Sequence, residues 1–145
     1  MIYKPITYLQ FLTSIPRLGS IPSLALTFVL ALFLVPITQA ATFTVTKTAD
    51  TADGTCDSDC SIREAITAAN SGDTITFASA LNGQTITLDS TLTINENLTI
   101  DATTLSSGIT ISGDNSVRVF EISSGKTVAI KGVTIKDGKV ADNGG

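Results

Sequence analysis

Residues 73–136 read DTITFASALNGQTITLDSTLTINENLTIDATTLSSGITISGDNSVRVFEISSGKTVAIKGVTIK, and this stretch decides the fold. Short alternating segments rich in β-branched residues recur through it at nearly constant spacing. One series runs Ile75/Phe77, Leu98/Ile100 and Phe120/Ile122, in steps of 23 and 22 residues. A second runs Ile86/Leu88, Ile109/Ile111 and Val133/Ile135, in steps of 23 and 24. Leu92/Ile94 and Val128/Ile130 fit a third side, incomplete in the middle turn. Between the segments stand Asn82-Gly83, Gly108, Gly113-Asp114-Asn115, Ser124-Gly125 and Asp137-Gly138, residues that accept φ > 0 and so turn a chain through tight corners. A period near 23 residues with two or three short strands in each suits parallel stacking, each coil lying about 4.8 Å from the last. The expected fold is therefore all-β, a right-handed parallel β-helix of about three coils with a short N-terminal capping α-helix. An antiparallel sandwich is the alternative, but its strands need no fixed interval.

On this reading Ile, Leu, Val and Phe stack on their like inside, while Thr74, Thr76, Thr85, Thr87, Thr99, Thr110 and Thr134 face water, where a branched Cβ still suits the pleat. Upstream, Thr42 to Thr46 alternates strictly, with Phe43 and Val45 on one face, and reads as a half-buried strand. Asp50 to Asp59 forms a polar loop. Ser61 and Glu64 then stand in the spacing of a capping box, in which hydroxyl and carboxylate each satisfy an orphan backbone N–H. Ile62, Ala65, Ile66 and Ala69 follow at helical intervals, and Asn70-Ser71-Gly72 supplies a stop. A helix of about nine residues is not stable alone. Its stripe is expected to cover the open first rung of the β-helix, whose bare backbone would otherwise invite aggregation.

The positive mean hydropathy of the 145-residue chain, +0.34, comes mostly from Ser23 to Val35, an uncharged apolar block. Lys4 and Arg17 precede it and Pro36 to Ala41 follow, the layout of a secretory signal peptide with cleavage after Ala40. Thirteen residues fall short of the ~20 that span a bilayer. An uncleaved N-terminal anchor is the alternative. The expected organisation is a signal peptide over 1–40, a strand, disulfide loop and capping helix over 41–72, and coils over 73–145. Removing Lys4 and Arg17 from nine basic residues leaves seven against thirteen acids, a net charge of −6. Nucleic acid and anionic lipid are poor partners for such a surface, which suits a secreted or cell-surface protein.

Cys60-Ser61-Ile62-Arg63-Glu64-Ala65-Ile66 resembles the CSLREA motif near the N-terminus of exported bacterial β-helix proteins, with Ile62 where the motif has Leu. The resemblance runs on through Thr42–Val45, Asp53-Gly54, Gly72–Phe77, Leu81–Ile86 and Gly132–Ile135. That family is similar to pectin-lyase-like β-helices and to polymorphic outer-membrane-protein repeats. The resemblance implies fold and location and hands over no catalytic residue. Since relatives continue into further coils, it also implies that this chain is a fragment, a truncated product, or a protein whose open C-terminal edge a partner covers.

Candidate chemistry is sparse, since there is no His and no Trp. Cys56 and Cys60 form an even pair in an exported chain, and a disulfide is expected, contributing about 2 kcal/mol by closing a small loop. Two thiolates cannot complete a zinc tetrahedron here. Asp50, Asp53, Asp57 and Asp59 crowd one loop and are candidate Ca²⁺ ligands, although their spacing fits no EF-hand. Arg63 either pairs with an acid of that loop or is a solvated surface residue. Asp89, Asp114 and Asp137 are spaced to stack on one edge, while Asp101 and Glu121 fall at other phases. Arg118, Lys131 and Lys136 are candidate bases that nothing in the sequence gathers beside a carboxylate pair. No catalytic, cofactor or metal residue is assigned. The function expected is an adhesive or structural scaffold whose partners are glycans or cell surfaces; the rival is the N-terminal part of a polysaccharide lyase or hydrolase whose site lies outside this chain.

Overall fold

A computed structural model describes residues 39–140. The signal peptide expected over residues 1–40 lies outside them, apart from Gln39 and Ala40, which are exposed and without regular structure. Strand β1 (Thr42–Val45) leads through the cysteine loop to helix α1 (Ile62–Ala68). Eight strands follow: β2 (Thr74–Phe77), β3 (Thr85–Thr87), β4 (Leu92–Ile94), β5 (Leu98–Asp101), β6 (Ile109–Ser112), β7 (Phe120–Ile122), β8 (Val128–Lys131) and β9 (Val133–Lys136). They form three parallel sheets, ordered β1-β2-β5-β8, β3-β6-β9 and β4-β7. From β2 on the chain visits the three sheets in the same order on every circuit. The protein is thus all-β and parallel, with one short α-helix among the described residues.

One apolar core serves all three sheets. Ile75, Ile86, Ile94, Ile100 and Ile111 have no exposed surface. Ile100 lies between Ile75 and Ile130, and Ile111 between Ile86 and Ile135, so that like side chains stack across the ladder. Alternation explains why: successive residues point to opposite faces, so an I-T-I segment buries its isoleucines and leaves Thr outside. Ile122 and Ile135 are 44% and 50% exposed, since no described strand lies beyond theirs.

The pairing corrects the expected register. Ile75 stands opposite Ile100 rather than Leu98, and Ile86 opposite Ile111 rather than Ile109, each a slip of two residues. Phe120/Ile122 pair with Leu92/Ile94, not with Leu98/Ile100, whose partners are Val128/Ile130. The third side is complete, and the uniform period is not real. The repeat is 25 residues from Ile75 to Ile100, 28 from Leu92 to Phe120, 30 from Ile100 to Ile130 and 24 from Ile111 to Ile135. The turns account for this. Residues 113–119 replace the shorter 88–91, residues 123–127 replace 95–97, and a single residue, Gly132, replaces 102–108. A slip of two leaves the buried face unchanged, so hydrophobic pattern alone cannot detect it.

Gly132 turns this one-residue corner at φ +66°, and a Cβ there would lie 2.8 Å from the Ala102 carbonyl carbon. Its carbonyl in turn accepts from the Ile109 N–H, so the corner sits directly under the turn of the preceding circuit. Helix α1 is also shorter than expected, because Ala69 already adopts extended backbone (φ −74°, ψ 145°). A 3-10 turn at Ser79–Leu81, which the periodicity did not announce, buries Leu81 between β2 and β3.

Burial decides the cost of truncation. Ile100→Ala is expected to lower unfolding free energy by about 3 kcal/mol, and half-exposed Ile135→Ala by about 1 kcal/mol. Urea denaturation of the two variants checks the difference.

Candidate functional site

Side-chain hydrogen bonds gather where α1 meets the cysteine loop. Ser61 is the N-cap: its Oγ accepts from the Glu64 N–H at 3.1 Å and donates to the Thr51 carbonyl at 2.6 Å. Glu64 closes the box, its Oε2 accepting from the Ser61 N–H at 2.7 Å. Its other oxygen accepts from the Asp53 N–H at 2.9 Å, so the helix cap and the loop share one carboxylate. Lys47 lies 3.7 Å from Glu64 and 3.0 Å from Asp59. The N–H donors of Ser61 and Asp53 hold the Glu64 carboxyl at about 2, against the opposing effect of its burial.

At the second residue of the helix, Arg63 takes Asp50 in both hands, Nε to Oδ1 at 2.9 Å and Nη2 to Oδ2 at 2.6 Å. The same guanidinium donates to the carbonyls of Ser90 and Thr91, and Asp50 accepts from the Asp89 N–H. The Asp50 side chain is 1% exposed. A bidentate, nearly buried pair of this kind ties the helix, the loop and the β3–β4 turn together. Of the two readings open for Arg63, the structure shows the ion pair.

Cys56 and Cys60 are joined by a disulfide. Thr46 holds the loop's end from the other side, its N–H donating to the Cys60 carbonyl and its hydroxyl accepting from the Cys60 N–H. Ile62, Ala65 and Ile66 are buried, and α1 packs on β1 and β4. All of Ser61 to Ile66 thus serves the cap and its anchorage. The part of Lys47, Thr46 and Thr51 was not legible in the sequence, because nothing local marks which distant backbone group a hydroxyl or ammonium will meet.

The four aspartates suggested as calcium ligands do not converge. Asp50 faces Arg63 and Asp59 faces Lys47. Asp53 and Asp57 accept from N–H groups two residues on in their own loop. Among the described residues no group of three potential ligands forms. The candidate bases each meet a carboxylate: Arg118 with Glu121 at 3.3 Å, Lys131 with Asp101 at 3.7 Å, Lys136 with Asp137 at 3.5 Å. The Asp101–Lys131 pair joins residues facing each other across adjacent strands. Asp137 also accepts from the Ser112 hydroxyl, which in turn accepts from the Asp114 N–H, whereas the N–H of Asp89 is drawn to Asp50. The expected stack of Asp89, Asp114 and Asp137 is therefore not a cluster of carboxylates.

Two of the surface clefts among the described residues carry charged side chains. One, of about 330 Å³, places Asn70, Thr93, Asn95 and Glu96 above Ile66 and Ala69 at the end of α1. The other, of about 370 Å³, brings Arg118, Glu121 and Lys139 beside Thr91 and Ser116. Thr91 and Thr93 alternate along β4 and its lead-in, so both clefts open on its outer face. Set against family models, curated proteins and solved structures, the chain matches none.

Removing one partner of a nearly buried ion pair leaves the other charge stranded. Arg63→Ala is expected to cost about 3 kcal/mol, with Arg63→Lys recovering only part, since an ammonium cannot span both oxygens. Urea titrations of both variants measure it. The depressed Glu64 stabilises the fold above its unfolded value near 4.5, and that contribution is lost as the pH falls toward 2. Calorimetric melts should show Tm falling between about pH 5 and 2. Glu64→Gln should be less stable at pH 7 and show a shallower acid decline, with Asp73, Glu96 and Asp101, also depressed, supplying the remainder.

Proposed function

We propose that this chain is an exported right-handed parallel β-helix scaffold, adhesive or structural, displayed at a cell surface or outside the cell. The observation that carries the reading is the cyclic order of the strands, each from β5 on pairing in parallel with the strand one circuit earlier. Parallel crossovers within a sheet are right-handed in ~98% of cases, which supplies the hand. The disulfide suits an oxidising compartment, and an excess of acid over base suits solubility there.

A scaffold role agrees with how the polar groups are used. The cap residues hold backbone, and Arg118, Lys126 and Lys131 pair with acids on their own or adjacent circuits. What is left outside is a Thr-rich surface with Thr85, Thr87, Thr93 and Thr134 exposed, and the polar cleft at Asn70, Asn95 and Glu96. Hydroxyl, amide and carboxylate groups of this kind match the alternating donors and acceptors of saccharides, so glycans and glycan-coated surfaces are the proposed partners. The alternative, part of a polysaccharide lyase or hydrolase, draws on the groove at Arg118, Glu121 and Lys139.

The chain beginning at Ala41 is expected to be retained on immobilised polysaccharides without consuming them. Retention is read by surface plasmon resonance, and turnover by ultraviolet absorbance of unsaturated ends and by reducing-sugar release. Product formation that Arg118→Ala or Lys139→Ala abolishes would turn the assignment to the enzyme.

A further inference from the structure

Asp73 leads into β2 with only 5% of its surface exposed. Its Oδ2 accepts from the Asn70 N–H at 2.8 Å and its Oδ1 from the Ala41 N–H at 2.7 Å. The Ala41 carbonyl accepts from the Thr74 N–H at 2.9 Å, so residue 41 is held through both of its backbone groups where β1 joins β2. Among the described residues no Lys or Arg forms an ion pair with Asp73. Its carboxyl is lowered by the Asn70 and Ala41 amides alone, against burial. Glu96 and Lys126 are bonded to each other, and Glu96 to Ser71, rather than to residue 41 or 73. A buried carboxylate with only neutral donors is completed by a cation.

Ala41 is also the residue that cleavage after Ala40 would leave at the new N-terminus, and Gln39, Ala40 and Ala41 are exposed and outside the regular secondary structure. We propose that hydrolysis of the Ala40–Ala41 bond by an export signal peptidase converts the Ala41 amide nitrogen into an α-ammonium that pairs with Asp73, so that maturation itself fastens β1 to β2. In the cleavage, the oxygen of water goes to the Ala40 carbonyl carbon and both its protons end on the Ala41 nitrogen. That nitrogen keeps the electron pair of the broken bond, giving an Ala40 carboxylate and an Ala41 ammonium. The inference rests on the export reading for its first step. The second step follows from the geometry: a charge-assisted hydrogen bond is roughly twice as strong as a neutral one.

The sign of the pH dependence is opposite to that of Glu64. An α-amine titrates near 7.7–8.0 when free, and pairing with Asp73 raises it. The added stability is complete below about pH 8 and is lost as the pH rises through the raised value.

Four chains test the pair: one beginning at Ala41 with a free amine, the same chain N-acetylated, one beginning at Gln39, and the Ala41 chain carrying Asp73→Asn. The free-amine chain should melt about 5 °C above the acetylated and Gln39 chains at pH 7. That advantage should fade between about pH 8 and 10 and be absent in Asp73→Asn, where acetylation then changes nothing. Superimposable melts of the free and acetylated chains across this range would overturn the ion pair. N-terminal sequencing of the exported protein addresses the first step separately. Ala41 as first residue is expected, and any other first residue overturns the maturation step even if the Ala41 chain shows the pair.

Discussion

Every strand in this protein finds its backbone partners a whole circuit away along the chain. The separation is 32 residues for β1 with β2 and between 24 and 30 for the rest. No strand of three or four residues stands alone, so order in one circuit is conditional on the next. Two demands follow. Inward positions must be apolar on every side of the circuit, because they meet inward positions of the other sheets across a single core. Corners must let one circuit lie directly on another, which is why Gly132, with no room for a Cβ, turns the tightest of them.

The first circuit poses a problem, since among the described residues β1 has no strand on its outer side. The chain solves it with charge and hydrogen bonding as much as with apolar surface. Helix α1 lays Ile62, Ala65 and Ile66 on the core, and its remaining residues bind it in place. Arg63 reaches Asp50 and the β3–β4 turn, and Glu64 gathers the N–H groups of Ser61 and Asp53. Such networks are favourable only when every member is satisfied. Here no buried side-chain polar atom among the described residues lacks a partner.

This division of labour shapes the functional reading. The most recognisable run of the sequence, Cys60 to Ile66, is occupied with architecture, and its charged members face inward toward loop and turn rather than outward toward a ligand. On the proposed scaffold reading, recognition falls to the outer faces and to the cleft lined by Asn70, Thr93, Asn95 and Glu96. These are built from residues that carry no mark of function when read one at a time.

Several features were legible from the sequence because they depend on neighbours in the chain. Alternation announced the strands, S-x-x-E announced the helix start, and two cysteines four apart announced the disulfide. The inward identity of Ile75, Ile86, Ile100 and Ile111 follows from period two alone. What the sequence could not determine was which strand meets which. Hydrophobic pattern repeats every two residues, so a slip of two or an added turn residue leaves it intact, and the lengths of the turns must be known in space before Phe120 can be seated on Leu92 rather than on Leu98. Which acid Arg63 would take, and that Glu64 would also hold the Asp53 N–H and Asp73 the Ala41 N–H, were hidden for the same reason. A charge binds whatever donor or acceptor the fold brings within 3 Å, and across 11 to 32 residues of chain that is decided only by tertiary structure.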